Sequence, residues 1–334
     1  MVEAARSAVR PDEPVEDGAD LVVVTSGSTG SGRAVLLSAR ALRASAAATA
    51  ERLGGAGSWL LALPTSAIAG LQVICRSLLG GRLPVVLEAR ERLADAAARL
   101  PDGDRRHVSV VPTQLRRWLD TEPDALRSFD AVLVGGAATD PALLAQAREA
   151  DVRAVTTYGM TETAGGCVYD GVPLSGVGVR VADGVQLSGP TLALGYRCDP
   201  AATAAAFADG WFRTRDAGAL DVDGRLTVHG RLDDVVVTGG VNVAPQAVEA
   251  ALRLHPSVAD AVVFGRADDE WGSRVVAAVV PAAGAVPELG ELRPWVASRL
   301  GAAAAPRELH LVDAVPLLHT GKPDRRTVAR QVSA

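Results

Sequence analysis

The sequence predicts an α/β protein of two domains, and three observations carry that prediction. Between Leu21 and Glu149, short Val- and Leu-rich runs alternate with segments of helical period, the pattern of a parallel sheet covered by helices on both faces. From Val179 the pattern changes to short alternating runs separated by turns such as Asp209-Gly210 and Asp223-Gly224, which signal antiparallel hairpins. After Arg231 a βα pattern resumes for about 100 residues, the size of a small α+β unit with its own core. The domain boundary is therefore placed at 231/232, with 1–231 the larger domain and 232–334 the smaller.

The first two apolar runs, Leu21 to Val24 and Ala34 to Leu37, read as strands around the loop Thr25 to Arg33. A helix follows from Ala39 to Leu53, with Leu42, Ala46, Thr49, Ala50 and Leu53 on one face and Gly54-Gly55 ending it. Next come a strand from Trp59 to Leu63, the loop PTSAIAG, a helix from about Leu71 to Leu79 and a strand from Pro84 to Leu87. The alternation continues with a helix near Glu91 to Leu100, a strand from His107 to Val111, a helix from Gln114 to Asp120 and a strand from Ala131 to Val134. It closes with a helix from Pro141 to Glu149 and a strand from Arg153 to Val155, after which Thr156 to Gly166, TTYGMTETAGG, reads as a loop. In the second domain the expected elements are a helix from Pro245 to Leu254, strands from Ala259 to Phe264 and Arg274 to Val280, and a helix from Glu291 to Leu300.

Composition narrows the function classes. The 334 residues carry 34 Lys plus Arg against 39 acidic residues, a net charge of -5, and no basic cluster with interleaved aromatics marks a nucleic-acid surface. Cys75, Cys167 and Cys198 are the three cysteines; without a Cys-x-x-Cys pair they argue for reduced thiols in the cytoplasm rather than a disulfide scaffold or zinc site. The acidic, Pro-containing first 20 residues read as neither signal peptide nor anchor, and no apolar run reaches the roughly 18 residues of a membrane span.

Chemistry is expected in the loops at strand ends, because ligands of open parallel sheets bind outside the carboxyl ends of the strands. TSGSTGSGR, Thr25 to Arg33, holds three glycines and five small hydroxyl residues, so its amides and hydroxyls can approach an anion closely. Taken alone it is equally a Ser/Gly surface turn. Gly27 and Gly32 have the spacing of the phosphate loop of nucleotide hydrolases, yet Arg33-Ala34 replaces the required Lys and Ser or Thr, which argues against that class. Gly135-Gly136-Ala137 follows one strand; in the next loop Tyr158 offers an aromatic face for a base, Thr161 a hydroxyl, and Glu162 a carboxylate for Mg²⁺ beside phosphate oxygens. A core ring and a solvated charge are the plain alternatives for Tyr158 and Glu162, and a solvated charge is the plain reading of Lys322.

Together these motifs resemble the AMP-forming adenylating enzymes, the superfamily of acyl-CoA synthetases, luciferases and adenylation domains. TSGSTGSGR is similar to its phosphate loop, YGMTET (Tyr158 to Thr163) to its adenine and magnesium motif, and GWFRTRD (Gly210 to Asp216) to its ribose motif. GRLDD with TGG resembles the hinge motif and TGKPDRR the C-terminal lysine motif, so five motifs in family order span residues 20 to 330. Within that superfamily, TTYGMTETAGGCVYDGVPLSGV, RLDDVVVTGGVNVAPQAVE and the short length are most similar to the o-succinylbenzoate–CoA ligase branch of menaquinone biosynthesis.

The resemblance implies ATP, Mg²⁺ and coenzyme A as reactants, a carboxylic acid as the further substrate, and a homodimer. It implies that Thr25, Ser26, Gly27, Ser28, Thr29, Gly30 and Arg33 hold phosphates, and that Gly135, Gly136, Ala137, Tyr158 and Gly159 line the adenine slot. Glu162 would bind Mg²⁺, Thr161 the α-phosphate, and Asp216 with Arg231 the ribose. Lys322 would neutralise charge during adenylation, after which the small domain would turn about Asp233 and bring Gly239 and Gly240 to the thioester step. Ser66, Gly70, Gln72, Thr163 and Gly165 are the acid-binding candidates, with Gln72 or Arg76 the polar group for a distal carboxylate, though both are equally ordinary polar residues of a helix. The sequence departs from the family pattern at Gly32, where proline is common, at Arg33 for lysine, at Arg215 for glycine, and at Thr65 to Gly70, which lacks the usual histidine. Two further readings stay open: a ligase for another aryl or acyl acid, with coenzyme A or a carrier protein as acceptor, and a nucleotide-binding homologue without turnover.

Overall fold

A computed structural model describes residues 13–25, 32–316 and 324–332. Contacts divide the chain into two units: Met1–Ala182 with Gln186–Thr214 and Leu220–Leu226 form the first, and Asp183–Val185, Arg215–Ala219 and Thr227–Ala334 the second.

In the first unit, β1 (Leu21–Val24) and β2 (Ala34–Leu37) pair antiparallel. Helix α1 (Ala39–Arg52) starts on Ser38, whose hydroxyl accepts from Ala41 N–H at 3.2 Å, a side-chain N-cap. Then follow β3 (Ser58–Leu61), α2 (Ile68–Leu79), β4 (Val85–Val86), α3 (Leu93–Ala98), β5 (Arg106–Val110), α4 (Pro112–Thr121), α5 (Pro123–Arg127), β6 (Ala131–Val134) and α6 (Pro141–Glu149). Strands β7 (Ala154–Met160), β8 (Gly165–Tyr169) and β9 (Val172–Pro173) complete a seven-stranded sheet of order β4-β3-β5-β6-β7-β8-β9. It is parallel from β4 to β7 and antiparallel from β7 to β9.

The two-residue period of a strand decides what each face packs against. Leu60, Val108, Val110, Val132 and Val134 form one core with Leu93, Leu115, Trp118, Leu126 and Leu143 of α3 to α6. Trp59, Leu61 and Leu133 point the other way, to Ala48 of α1, Val73 of α2 and Tyr169. Both faces are covered, which is why these strands read as unbroken apolar runs.

The stretch Thr156 to Gly166 differs from the expected loop. Strand β7 runs on to Met160, a 3₁₀ turn covers Thr161–Thr163, and β8 returns along β7 with Thr157 opposite Tyr169 and Met160 opposite Gly165. An antiparallel partner satisfies the backbone of polar and glycine residues that look irregular in sequence. Helix α2 also begins one turn earlier than expected, at Ile68.

The unit continues with β10 (Gly178–Ala182), β11 (Gly184–Ser188), β12 (Gly195–Tyr196), α7 (Pro200–Ala206), β13 (Phe207–Ala208) and β14 (Trp211–Arg213). The expected Asp209-Gly210 hairpin joins β13 to β14, whereas β12 lies beside β2 to make a three-stranded sheet with β1. The unpredicted α7 has a legible start, since Asp199 accepts from Ala202 N–H at 2.9 Å and Pro200 opens the helix. Strands β15 (Asp216–Leu220) and β16 (Leu226–Arg231) pair around Asp223-Gly224.

In the second unit, β17 (Val236–Thr238) and β18 (Val241–Val243) form a hairpin, followed by α8 (Pro245–Arg253), β19 (Val258–Asp268), β20 (Gly272–Pro281), α9 (Leu289–Leu300), β21 (Glu308–Leu311) and α10 (Arg325–Gln331). Val263, Val275, Ala277 and Val279 face Val248 and Leu252 of α8 and Leu292 and Val296 of α9. Val262 and Ala278 face Val328 of α10. Among the described residues no helix is long and apolar enough to cross a membrane.

One core group makes the fold acid-sensitive. His107 on β5 is buried against Trp59, and neither ring nitrogen has a hydrogen-bond partner among the described residues. Burial is the main cause that pushes its imidazole down to about 4. The unfolded chain therefore binds a proton near the usual ~6.5 that the folded chain refuses until about 4, so stability falls as pH drops through that window, by up to ~3 kcal/mol. Replacing His107 with Phe should flatten the urea-midpoint profile between pH 6.5 and 4; an unchanged slope would assign the acid sensitivity elsewhere.

Candidate functional site

The carboxyl ends of β5, β6 and β7 gather the first group of predicted residues. Gly135 and Gly136 leave the end of β6, and Gly135 lies so close to Thr157 of β7 that a side chain would meet its hydroxyl. Ala137 follows, partly buried. Tyr158 sits on β7 opposite Val168, and the register shifts between it and Gly159. A Cβ on Gly159 would run into the Gly165 carbonyl, so this close crossing of β7 and β8 admits only glycine.

That crossing builds the Thr161–Thr163 turn. The Thr163 hydroxyl accepts from Met160 N–H at 3.0 Å and donates to the Gly165 carbonyl at 2.8 Å, so it serves the turn rather than a substrate. Thr161 has no such side-chain bond among the described residues. Glu162 is fixed twice: its carbonyl accepts from Ala193 N–H at 2.8 Å, and its Oε1 accepts from the Tyr196 hydroxyl at 3.0 Å. Oε2 has no partner among the described residues. No group of three His, Cys, Asp or Glu side chains lies together there either. A single carboxylate with one spare oxygen suits Mg²⁺, which keeps waters and takes most of its other ligands from nucleotide phosphates.

Of the phosphate-loop motif, Ser26, Gly27, Ser28, Thr29 and Gly30 lie outside the described residues, and its two ends lie within them. Thr25 N–H donates to the Arg33 carbonyl at 2.8 Å, closing the loop at its base. Gly32 packs so closely on the Thr25 carbonyl that a Cβ would collide with it, which explains glycine at this departure from the family pattern. The Arg33 guanidinium lies 5.0 Å from the centre of the Tyr196 ring.

The acid-binding candidates separate into two kinds. Gly70 packs on the Pro64 carbonyl and has no room for a side chain, so its role is the close seating of α2; Ser66 is exposed ahead of that helix. Gln72 is fully buried, and its Nε2 donates to the Ala164 carbonyl at 2.8 Å while Oε1 has no partner among the described residues. Gly165 lies against Gln72. One helical turn further, Arg76 is 8% exposed, donates through Nη2 to the Tyr169 hydroxyl at 3.2 Å, and leaves Nε without a partner among the described residues. No carboxylate pairs with it among the described residues. It lines a cavity of about 260 Å³ with Trp59, Ala46, Ala47 and Ala50.

The ribose, hinge and thioester candidates lie in the second unit. Asp216 is buried at the start of β15, with Arg231 at 3.8 Å. Asp233 is held from both sides, by Arg215 at 2.8 Å and Arg231 at 3.1 Å. The departure Arg215 is thus an ion-pair partner of the hinge candidate. Gly239 and Gly240, with φ of 57° and 78°, form the two-residue turn of the β17–β18 hairpin, the positive-φ pair that a type I′ turn requires. Gly239 N–H donates to the Trp271 carbonyl at 3.0 Å. Lys322 lies outside the described residues; Asp324 N–H donates to the Pro316 carbonyl at 2.8 Å on either side of its segment.

Tyr196 is the functional candidate that the sequence reading missed. A strand of two residues has no periodicity to reveal it. The available signal was scarcity, since Tyr158, Tyr169 and Tyr196 are the chain's three tyrosines and all belong to the β7, β8 and β12 region.

Comparison with known proteins agrees with this geometry. The AMP-binding enzyme family model matches residues 2–188, and that of the AMP-binding enzyme C-terminal domain matches residues 247–322. A probable 2-succinylbenzoate–CoA ligase of Mycobacterium tuberculosis is 48% identical over 342 residues, covering 98% of this chain and 88% of that protein. The o-succinylbenzoate CoA synthetase of Bacillus subtilis, solved with its acyl-adenylate intermediate, superimposes with a TM-score of 0.83 at 28% identity over 94% of this chain and 70% of that one. The same protein has been solved with ATP and magnesium ion (TM-score 0.81, 28% identity, 94% of this chain and 71% of that one). An amide bond synthetase of Marinactinospora thermotolerans also matches, with a TM-score of 0.83 at 30% identity over 95% and 69% of the two chains.

The β7–β8 crossing yields a direct test. Gly159→Ala should lower the stability of the protein by about 1–3 kcal/mol, the usual cost of forcing extra volume into a packed region, read as a lower urea midpoint. An unchanged midpoint would mean that the crossing yields without cost.

Proposed function

The chain belongs to the AMP-binding enzyme family, and from that premise we propose that it joins o-succinylbenzoate to coenzyme A through an acyl-adenylate, releasing AMP and pyrophosphate, in menaquinone biosynthesis. Arg76 carries the reading of the acid. A buried guanidinium without a carboxylate of its own is costly unless something anionic completes it. An acid with two carboxylates meets both demands: one end is activated and the other pairs with Arg76. Gln72 and Arg76 are one turn apart on α2, a rise of about 6 Å, and Gly165 beside Gln72 connects this helix face to the Thr161–Thr163 turn. The distance suits a one-ring acid lying along the helix.

The reaction needs no protein nucleophile. The substrate carboxylate attacks the α-phosphorus of ATP and pyrophosphate leaves; the thiol of coenzyme A then attacks the acyl carbonyl and AMP leaves. The protein orients the reactants and stabilises charge. Magnesium, when bound with the nucleotide, offsets phosphate charge, and Glu162 with its spare oxygen is the residue that would hold it. Thr161 has a free hydroxyl for the α-phosphate, while Thr25 and Arg33 frame the segment assigned to the remaining phosphates. Asp216 and Arg231 are assigned to the ribose, Lys322 to adenylation, Gly239 and Gly240 to the thioester step, and Asp233 to the hinge at the 231/232 boundary. Homodimer formation and a cytoplasmic location rest on the family resemblance and the reduced cysteines.

Pyrophosphate release from MgATP should depend on o-succinylbenzoate, and adding coenzyme A should give its thioester by mass detection. Release with other acids alone would keep the reaction and replace the substrate; release with none would favour a nucleotide-binding protein without turnover. Arg76→Leu should raise the KM for the acid about 30-fold or more, the roughly 2 kcal/mol lost with one partner of a buried charge pair, at unchanged KM for ATP. Its thermal midpoint should not fall, because an unpaired buried charge is removed. A KM unchanged for the acid would sink the Arg76 assignment. Lys322→Ala should abolish pyrophosphate release and spare thioester formation from preformed adenylate; equal loss of both steps would remove Lys322 from its assigned role.

A further inference from the structure

Glu162 is the single carboxylate at the turn, and one flexible carboxylate is a poor ligand unless its rotation is stopped. The structure stops it with Tyr196. The phenol donates to Glu162 Oε1 at 3.0 Å, and the tyrosine is itself immobilised on every side. Its backbone pairs with Val35 of β2, its N–H donates to Thr203 Oγ1 at 2.9 Å, and its ring packs edge-on against Phe207 at 5.8 Å. The Arg33 guanidinium lies over the ring at 5.0 Å. Tyr196 is 5% exposed, so its hydroxyl has little competition from water.

We propose that Tyr196 is a positioning residue for Glu162: its hydroxyl holds one carboxylate oxygen and leaves the other for the magnesium ion that accompanies ATP. This rests on the adenylating reading but not on the identity of the acid. A partner that orients a metal-binding carboxylate commonly contributes 10- to 100-fold to metal affinity or activity. Because Tyr196 lies on the strand that pairs with β2, it also ties Glu162 to the strand that leaves the phosphate loop.

The test is nucleotide binding by calorimetry without any acid, titrating Mg²⁺ at fixed ATP and repeating the titration of ATP in EDTA. Tyr196→Phe keeps the ring and its packing and removes only the hydroxyl. The Mg²⁺ dependence of ATP binding should shift about 10-fold to higher Mg²⁺, while binding in EDTA and the thermal midpoint stay as in the unsubstituted protein. In a Glu162→Gln background the same change should add nothing, as for two residues acting on one ligand. An unchanged Mg²⁺ dependence, an equal loss with and without Mg²⁺, or a full second loss in the Glu162→Gln background would each overturn the proposal. Failure of the unsubstituted protein to bind MgATP would overturn the adenylating reading first and this one with it. Binding of MgATP followed by turnover of a different acid would replace only the substrate.

Discussion

Strand β7 is bonded parallel to β6 on one side and antiparallel to β8 on the other, and the site depends on the abrupt reversal between β7 and β8. A reversal this tight leaves backbone groups to satisfy and forces Ala164 into the left-handed region, at φ 50°, which costs a non-glycine residue roughly 1–2 kcal/mol. Hydrogen bonds from several elements offset that cost. Thr163 ties Met160 to Gly165, Gln72 of α2 donates to the Ala164 carbonyl, and Ala193 ahead of β12 donates to the Glu162 carbonyl. At about 0.5–1.5 kcal/mol each, these bonds are enough to hold the turn in one conformation. Glu162 is therefore aimed by the framework before any ligand arrives.

The same physics explains what the sequence could reveal. Strands β3, β5 and β6 are covered on both faces, so their residues are apolar without alternation and their positions were plain. The motif loops were plain because glycine and hydroxyl residues cluster where β1 and β6 end. The course of β7 and β8 was hidden, since Thr157, Gly159 and Gly165 belong to a tight hairpin whose register shifts between Tyr158 and Gly159, and its polar and glycine composition has the local preference of a loop. Arg215 stood out in the sequence only as a departure from the family's glycine; its 2.8 Å pair with Asp233 depends on the β15–β16 hairpin and has no signal in spacing.

Beneath the turn lies a polar layer inside an apolar core. Thr49 of α1 bonds the Tyr169 hydroxyl at 3.0 Å, and that hydroxyl accepts from Arg76 at 3.2 Å. Gln72 and Arg76 occupy one face of α2, four residues apart, where Val73 and Ile68 fill neighbouring core positions. Polar groups placed in this way cost stability unless each is satisfied, and here Gln72 Oε1 and Arg76 Nε are not. The two residues share one face of α2, and Arg76 also lines the adjoining cavity. Their i, i+4 spacing shows that they share a helix face, and only the structure shows that both are buried.

Arginine at position 33 follows from the same concern with orientation. An ammonium is a compact point charge, whereas a guanidinium is planar and can lie on an aromatic face while its N–H groups point elsewhere. With its guanidinium carbon 5.0 Å from the centre of the Tyr196 ring, Arg33 lies beside the same tyrosine whose hydroxyl bonds Glu162, so one buried tyrosine contacts a cation and a carboxylate at the same time. A lysine in this position would keep the charge but not the broad, planar head group. The substitution therefore belongs with Tyr196: the aromatic partner gives the guanidinium a fixed seat at the mouth of the loop, and the two residues are best understood as a pair.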